Sequence, residues 1–274
     1  MKRYQAAIKK HLGEYARRRL GVFEEGIFKG RPYPHILPSR LRFLNFLESY
    51  RAELQEHCSS HRRSIKLHQF FHHLNSSQAF AFNLFFPYFS SSGYPAEALS
   101  AALGIRAQVS EWAFEHVPDK KEGTNIDVMW RISNAAWVFC EVKLSESEFG
   151  TADNDERHRN KLSSIYQKRL APLVSADLLH EKTFFKNYQL LRNISLLAEH
   201  AEDQLMILLP RENESLGRLL HKALAGVNPE VRGRIRVTYI EECIGALMED
   251  RALSPELRVY ASQFAEKYLV SPSA

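Results

Sequence analysis

A chain of 274 residues, 45% hydrophobic and 11% aromatic, is long and apolar enough to bury the core of one large domain, which excludes a disordered protein. Its formal charge of +5 suits a polyanionic partner without specifying one. Cys58, Cys140 and Cys243 are widely separated and form no CxxC pair, which argues against a disulfide scaffold and for a reducing compartment.

In chain order, residues 1–25 read as a charged helix, with Tyr4, Ile8, Leu12 and Tyr15 at helical spacing. This segment lacks the apolar region of a signal peptide. No run approaches the roughly 18 apolar residues of a spanning helix, since "AFAFNLFFPYF" is short and broken by Pro87. The expectation is a soluble, cytoplasmic protein with no membrane contact.

A Pro-rich turn, "GRPYPHILPSR", precedes a helix over 40–57 marked by Leu41, Leu44, Leu47 and Leu54. A further helix spans 76–86, capped within Asn75, Ser76 and Ser77 and stopped by Pro87. A short helix at 95–104 leads into strands at 110–117, 125–132 and 136–144, then a polar stretch over 145–164. A helix at 184–200, a strand at 203–210, a helix at 215–225, a strand at 234–240 and a helix at 255–269 complete the order. This predicts an α/β domain over 75–274 behind an N-terminal helical extension over 1–74.

The strands carry charge where core is expected. With period two, Trp137, Phe139, Glu141 and Lys143 share one face of the third strand, and Glu141 and Lys143 stand about 7 Å apart along it. If 133–135, "SNA", is a three-residue hairpin loop, Ile132 pairs with Ala136, Asp127 lies opposite Glu141 and Asn125 opposite Lys143. Two adjacent carboxylates repel unless a cation sits between them. Lys143 could serve, or a divalent metal, and oxygen ligands suit Mg²⁺, with Mn²⁺ the alternative. The plainer alternative is a solvated sheet face with a cross-strand ion pair, although Trp137 and Phe139 on the same face count against it.

"ID" followed by "EVK" resembles the PD-(D/E)xK nuclease superfamily, the restriction-endonuclease-like fold, in which an acid on one strand meets acid-x-lysine on its hairpin partner. Ile126 stands where the family name has proline. The element order over roughly 75–240 is also similar to the αβββαβ core of that fold, a mixed central sheet flanked by helices. "NSSQAFAFNLFFP", "GTNIDV" and "FFKNYQLLRN" resemble a bacterial branch of it.

The resemblance implies a Mg²⁺-dependent nuclease hydrolysing phosphodiesters, most readily of DNA, in restriction, defence or repair. It implies Asp127 and Glu141 as metal ligands with the Val142 carbonyl, Lys143 acting on the water, and a homodimer as working form. It further suggests a third acid, Glu115 or alternatively Glu111, and a polar side chain from the following helix, Gln189. A non-catalytic nucleic-acid-binding or protein-interaction module on the same fold is the rival.

Candidate substrate contacts are Gln78 at the start of its helix, Asn125, Lys186, and His158 and Lys161 in a charged loop that could grip a phosphate backbone. His68 and His72 stand at a metal-ligand spacing if their segment is helical, but Gln69 rules out the HExxH arrangement.

Overall fold

The computed structural model describes residues 3–91, 93–132 and 136–270. Helix α1 (Arg3–Arg19) buries Tyr4, Ile8, Leu12 and Tyr15, as their spacing predicts. A small hairpin, β1 (Gly26–Phe28) and β2 (Arg31–Tyr33), overlaps the Pro-rich turn.

The predicted helix over 40–57 is instead two 3₁₀ turns, Ser39–Asn45 and Glu48–Tyr50, followed by helix α2 (Arg51–Ser60). Tertiary bonds interrupt it. Asn83 Oδ1 accepts from the Leu47 amide at 2.9 Å, and the Asn45 side chain donates to the carbonyls of Phe71 and His73 at 2.6 and 2.8 Å. Asn83, polar within a Phe-rich helix, is therefore a buried splint.

Helix α3 (Ser77–Phe89) starts at Ser76, whose hydroxyl accepts from the Ala79 amide. Pro87 does not stop it. Proline has no N–H for the carbonyl four residues back, and the carbonyl in question, that of Asn83, accepts instead from the Tyr260 hydroxyl at 2.7 Å.

Helix α4 (Tyr94–Ala102) and strands β3 (Val109–His116), β4 (Ile126–Ile132) and β5 (Ala136–Val142) follow. Short helices α5 (Glu156–Lys161), α6 (Gln167–Leu170), α7 (Ala176–Leu179), α8 (Glu181–Lys186) and α9 (Tyr188–Ser195) lead to β6 (Gln204–Leu209). Then come α10 (Glu214–Leu224), α11 (Pro229–Arg232), β7 (Ile235–Tyr239), α12 (Ile240–Glu249) and α13 (Pro255–Tyr268).

The main sheet has the order β3-β4-β5-β6-β7, antiparallel through β5 and parallel beyond it. It is the mixed, helix-flanked sheet of the restriction-endonuclease-like fold. The proposed loop 133–135 lies outside the described residues. The ladder beside it pairs Ile132 with Ala136 and Val128 with Cys140, and one further step in that register sets Asp127 across from Glu141.

Alternation along β4, β5 and β6 feeds two cores. Val128, Trp130, Val138, Cys140 and Met206 pack with α3, α4, α12 and α13, while Met129, Phe139, Leu205 and Ile207 pack with α8, α9 and α10. Phe46, Leu47 and Leu54 from the N-terminal 74 residues join the first core. Among the described residues no helix is long and apolar enough to cross a membrane.

The Tyr260–Asn83 bond makes the proline tolerable within α3. Tyr260→Phe should lower unfolding free energy by about 1–3 kcal/mol, the penalty for an unpaired buried carbonyl. Urea denaturation checks it, and an unchanged midpoint would contradict this role.

Candidate active site

Glu141 ends β5 on the face covered by α9. It is only 2% exposed, so its carboxylate needs protein donors. Its Oε1 accepts from Lys143 Nζ at 2.7 Å and from Gln189 Nε2 at 2.7 Å, and its Oε2 accepts from Asn193 Nδ2 at 2.8 Å. Lys143 also donates to Gln189 Oε1 at 2.9 Å. The Gln189 amide thus bridges both members of the ion pair. Gln189 and Asn193 lie i, i+4 on α9, hence on one face.

A break between α8 and α9 aims that face at β5. A continuous helix over 184–200 is predicted, but Asn187 leaves helical geometry at φ −114° and ψ 27°. The loop after β5 fills the break: Ala152 donates to the Phe185 carbonyl at 3.0 Å, and the Gln189 amide donates to the Gly150 carbonyl at 3.3 Å. Gly150 has φ +85°, and a Cβ there would lie 2.8 Å from Gln189 Oε1. Only glycine serves both the backbone and the close approach.

Asp127 is half-buried on β4, and its Oδ2 accepts from the Val142 amide at 2.8 Å. Burial, Glu141 and Glu115 together push its pKa well above the usual aspartate value, against the opposing pull of Lys143 and the Val142 amide. Glu115 stands across from Asp127 in the β3–β4 register, between the pairs Phe114–Val128 and His116–Ile126. Its φ of +51° is left-handed, a conformation that costs a non-glycine residue about 1–3 kcal/mol. Burial raises its pKa, Glu141 adds to the rise, and hydrogen bonds from Gln78 and Asn125 oppose it.

Burial disfavours the Lys143 ammonium, but Glu141, Glu146 and Asp127 outweigh burial and hold its pKa above the ordinary lysine value. Lys143 is therefore a cation at neutral pH and can donate hydrogen bonds, not accept a proton.

The other predicted residues divide. Gln78 lies beside Glu115 and also bonds to the His68 amide and the Lys66 carbonyl, at 2.8 and 3.0 Å. Asn125 is exposed and donates to Glu115, away from Lys143. Glu111 instead pairs with Arg131 at 2.7 Å, near the other end of β3.

The charged loop is partly helix, capped by Asp155. His158 bonds to Asp155 at 2.8 Å and packs edge-on against Tyr188. Lys161 turns inward to the Glu122 carbonyl at 2.7 Å. Each keeps polar capacity beyond that bond: two further N–H donors on Lys161 and Nε2 on His158. Lys186 is exposed at the end of α8. His68 lies in an irregular stretch and His72 in a turn, so the helical spacing between them does not arise.

Asn193 is the residue that sequence reasoning missed. Its position four beyond Gln189 was the available signal. A buried group beyond the site was missed as well: Glu122 accepts from Tyr166 and from Arg192, which also donates to Thr124 Oγ1 at 2.9 Å.

Asp127, Glu115 and Gln78 line one wall of a cleft of about 420 Å³, with Ser145 and Glu146 beyond β5 and His68, Phe70, His73 and Asn75 from the N-terminal segment. Among the described residues no three His, Cys, Asp or Glu side chains converge as a metal cage. The donor chemistry nonetheless fits a hard cation. Glu141 uses about three of its four lone-pair sites on protein donors, while the Asp127 and Glu115 carboxylates face the cleft with capacity to spare. Mg²⁺ needs only one or two carboxylates and keeps its waters.

A sheet of this topology, with an acid on β4 facing acid-x-lysine on β5, defines a restriction-endonuclease-like protein. The family model described as "restriction endonuclease associating with ARP" matches residues 9–269, and the chain belongs to that family. No curated protein and no solved structure matches the chain.

Because the folded-state pKa of Asp127 is raised, the native protein binds its proton more tightly than the unfolded chain, and stability falls as pH rises past the unfolded value near 3.9. Asp127→Asn removes that charge and keeps a carbonyl for the Val142 amide. It should stabilise the protein at pH 7 by about 0.5–2 kcal/mol, with no gain below about pH 3.9. Thermal melts across pH test this, and a loss of stability at pH 7 would contradict it.

Proposed function

We propose that the protein is a metal-dependent nuclease that hydrolyses phosphodiester bonds of DNA. The observation that carries this reading is the buried Glu141–Lys143 pair, 2.7 Å apart, across from Asp127, which itself lines an acidic cleft. Asp127 and Glu141, with Glu115 and the Val142 carbonyl, would hold Mg²⁺ or Mn²⁺. The ion supplies Lewis-acid polarisation of a phosphoryl oxygen and a lowered pKa for a bound water.

The chain's own groups do the rest. Gln189 and Asn193 fix the Glu141 carboxylate, so that it need not reorganise when the substrate arrives. Lys143, held protonated, donates a hydrogen bond to the attacking water or to the phosphoryl oxygen on which charge develops. Glu115 and Asp127 carry negative charge to a place where only a cation relieves their repulsion. The family description couples its endonucleases to ARP, which supports action within a complex.

Wild type, Lys143→Met and Asp127→Ala should be incubated with linear, circular and single-stranded DNA in Mg²⁺, Mn²⁺ or EDTA, with folding checked by circular dichroism. Wild type should cut, EDTA should abolish cutting, and each variant should lose about 10²-fold or more in rate. Cutting that survives EDTA and both substitutions would refute this centre. No cutting of any substrate by wild type would refute the nuclease reading.

A further inference from the structure

The part of the cleft formed by residues 68–75 has a chemistry that hydrolysis alone does not require. Residues 68–75 are irregular and carry His68, Phe70, His73 and Asn75 there. Phe70 is central. Its ring meets Phe28 edge-on at 5.2 Å, lies tilted 5.0 Å from His73, and is 5.2 Å from His68. Phe70 is half-buried and His68 is exposed, so ring surface is left on the cleft side.

Two polar atoms of this wall, His73 Nε2 and Asn75 Oδ1, are buried and have no hydrogen-bond partner among the described residues. Such atoms are few in folded proteins, and each calls for a partner. Both residues are anchored: Asn45 holds the His73 carbonyl at 2.8 Å, and the Asn75 amide nitrogen donates to Ser145 Oγ at 2.7 Å. Burial, with His72 and Lys9 adding to it, pushes the His73 pKa down to about 4. Its imidazole is therefore neutral near pH 7 and offers a hydrogen-bonding edge rather than a charge.

Among the described residues no lysine or arginine lines this cleft. A wall built to grip phosphates would carry them. A ring face, a neutral imidazole and an amide match instead the face and edge of a nucleobase, and the volume of about 420 Å³ lies in the range of small-ligand sites.

We propose that this part of the cleft receives an unpaired base of the strand to be cut, stacked on Phe70 with its edge toward His73 and Asn75, whose solvent-shielded orphan atoms it would meet once those side chains turn, so that the substrate is single-stranded nucleic acid or a frayed end. A base within a duplex keeps its faces in the stack and its edge on its partner, and would have to be flipped out at the cost of unstacking and unpairing, which an unpaired base is spared. The inference rests on the catalytic reading of Asp127, Glu141 and Lys143.

Fluorescence anisotropy tests it, with Ca²⁺ replacing Mg²⁺ to prevent turnover. The probes are labelled oligothymidylate, oligouridylate, a deoxyribose-phosphate strand without bases, and a duplex of equal length. Wild type should bind at least one base-bearing strand about fivefold or more tighter than the abasic strand and the duplex. The thymidylate-to-uridylate ratio then identifies DNA or RNA. Phe70→Leu, which keeps an apolar side chain against Phe28, should erase the preference, and Phe70→Trp should retain it.

Equal affinity of wild type for abasic and base-bearing strands overturns the proposal without any variant, and so does an unchanged preference in folded Phe70→Leu. Cleavage read in parallel separates the two claims. A protein that prefers bases but cuts nothing refutes the catalytic reading alone. One that cuts in Mg²⁺ with no base preference refutes the base site alone.

Discussion

A carboxylate withdrawn from water must be met by donors, and the arrangement around Glu141 follows from that requirement. Lys143 supplies the counter-charge from two residues along the same strand, and Gln189 and Asn193 supply amides from the covering helix. Those amides reach the strand because the helix is broken at Asn187 and because Gly150 lets the intervening loop pass against Gln189. A buried ion pair is seldom a net source of stability. Its place beside the apolar side chains of that sheet face is explained by what it holds in position.

Charge then accumulates in one direction. Lys143 is shared with Glu141, so Asp127 and Glu115 face the cleft with raised pKa values and, among the described residues, no lysine or arginine lining it. The left-handed backbone at Glu115 adds strain at the same spot. Strain and repulsion both disfavour the native state, and the repulsion is what the proposed cation would relieve.

The sheet and the strand pair that carries Asp127 and Glu141 were legible because their signals are local and periodic. Alternation in "NIDVMWRI" and "AWVFCEVKL" sorts core from charge, and register arithmetic brings Asp127 to Glu141. Features set by distant partners were not. Pro87 looks like a helix stop until Tyr260 takes the orphaned Asn83 carbonyl. The stripe of leucines over 40–57 looks helical until Asn83 and Asn45 draw off its backbone. The aromatic wall of the cleft comes from residues 68–75, more than fifty positions before Asp127 in the chain, and no spacing rule connects the two. The partners of Lys161 and His158, the Glu122 carbonyl and Asp155, were hidden as well, because charge in sequence does not reveal local bonds.

The central claim is that Asp127 and its neighbours form a cation site completed by the clamp on Glu141. Calorimetric titration of Mn²⁺ into wild type, Asp127→Asn and Gln189→Ala, without nucleic acid, tests it most directly. The account predicts saturable binding to wild type, its loss in Asp127→Asn, and binding about tenfold or more weaker in Gln189→Ala, where only the orienting amide is removed. Failure of wild type to bind Mn²⁺, or undiminished binding in Asp127→Asn, would contradict it.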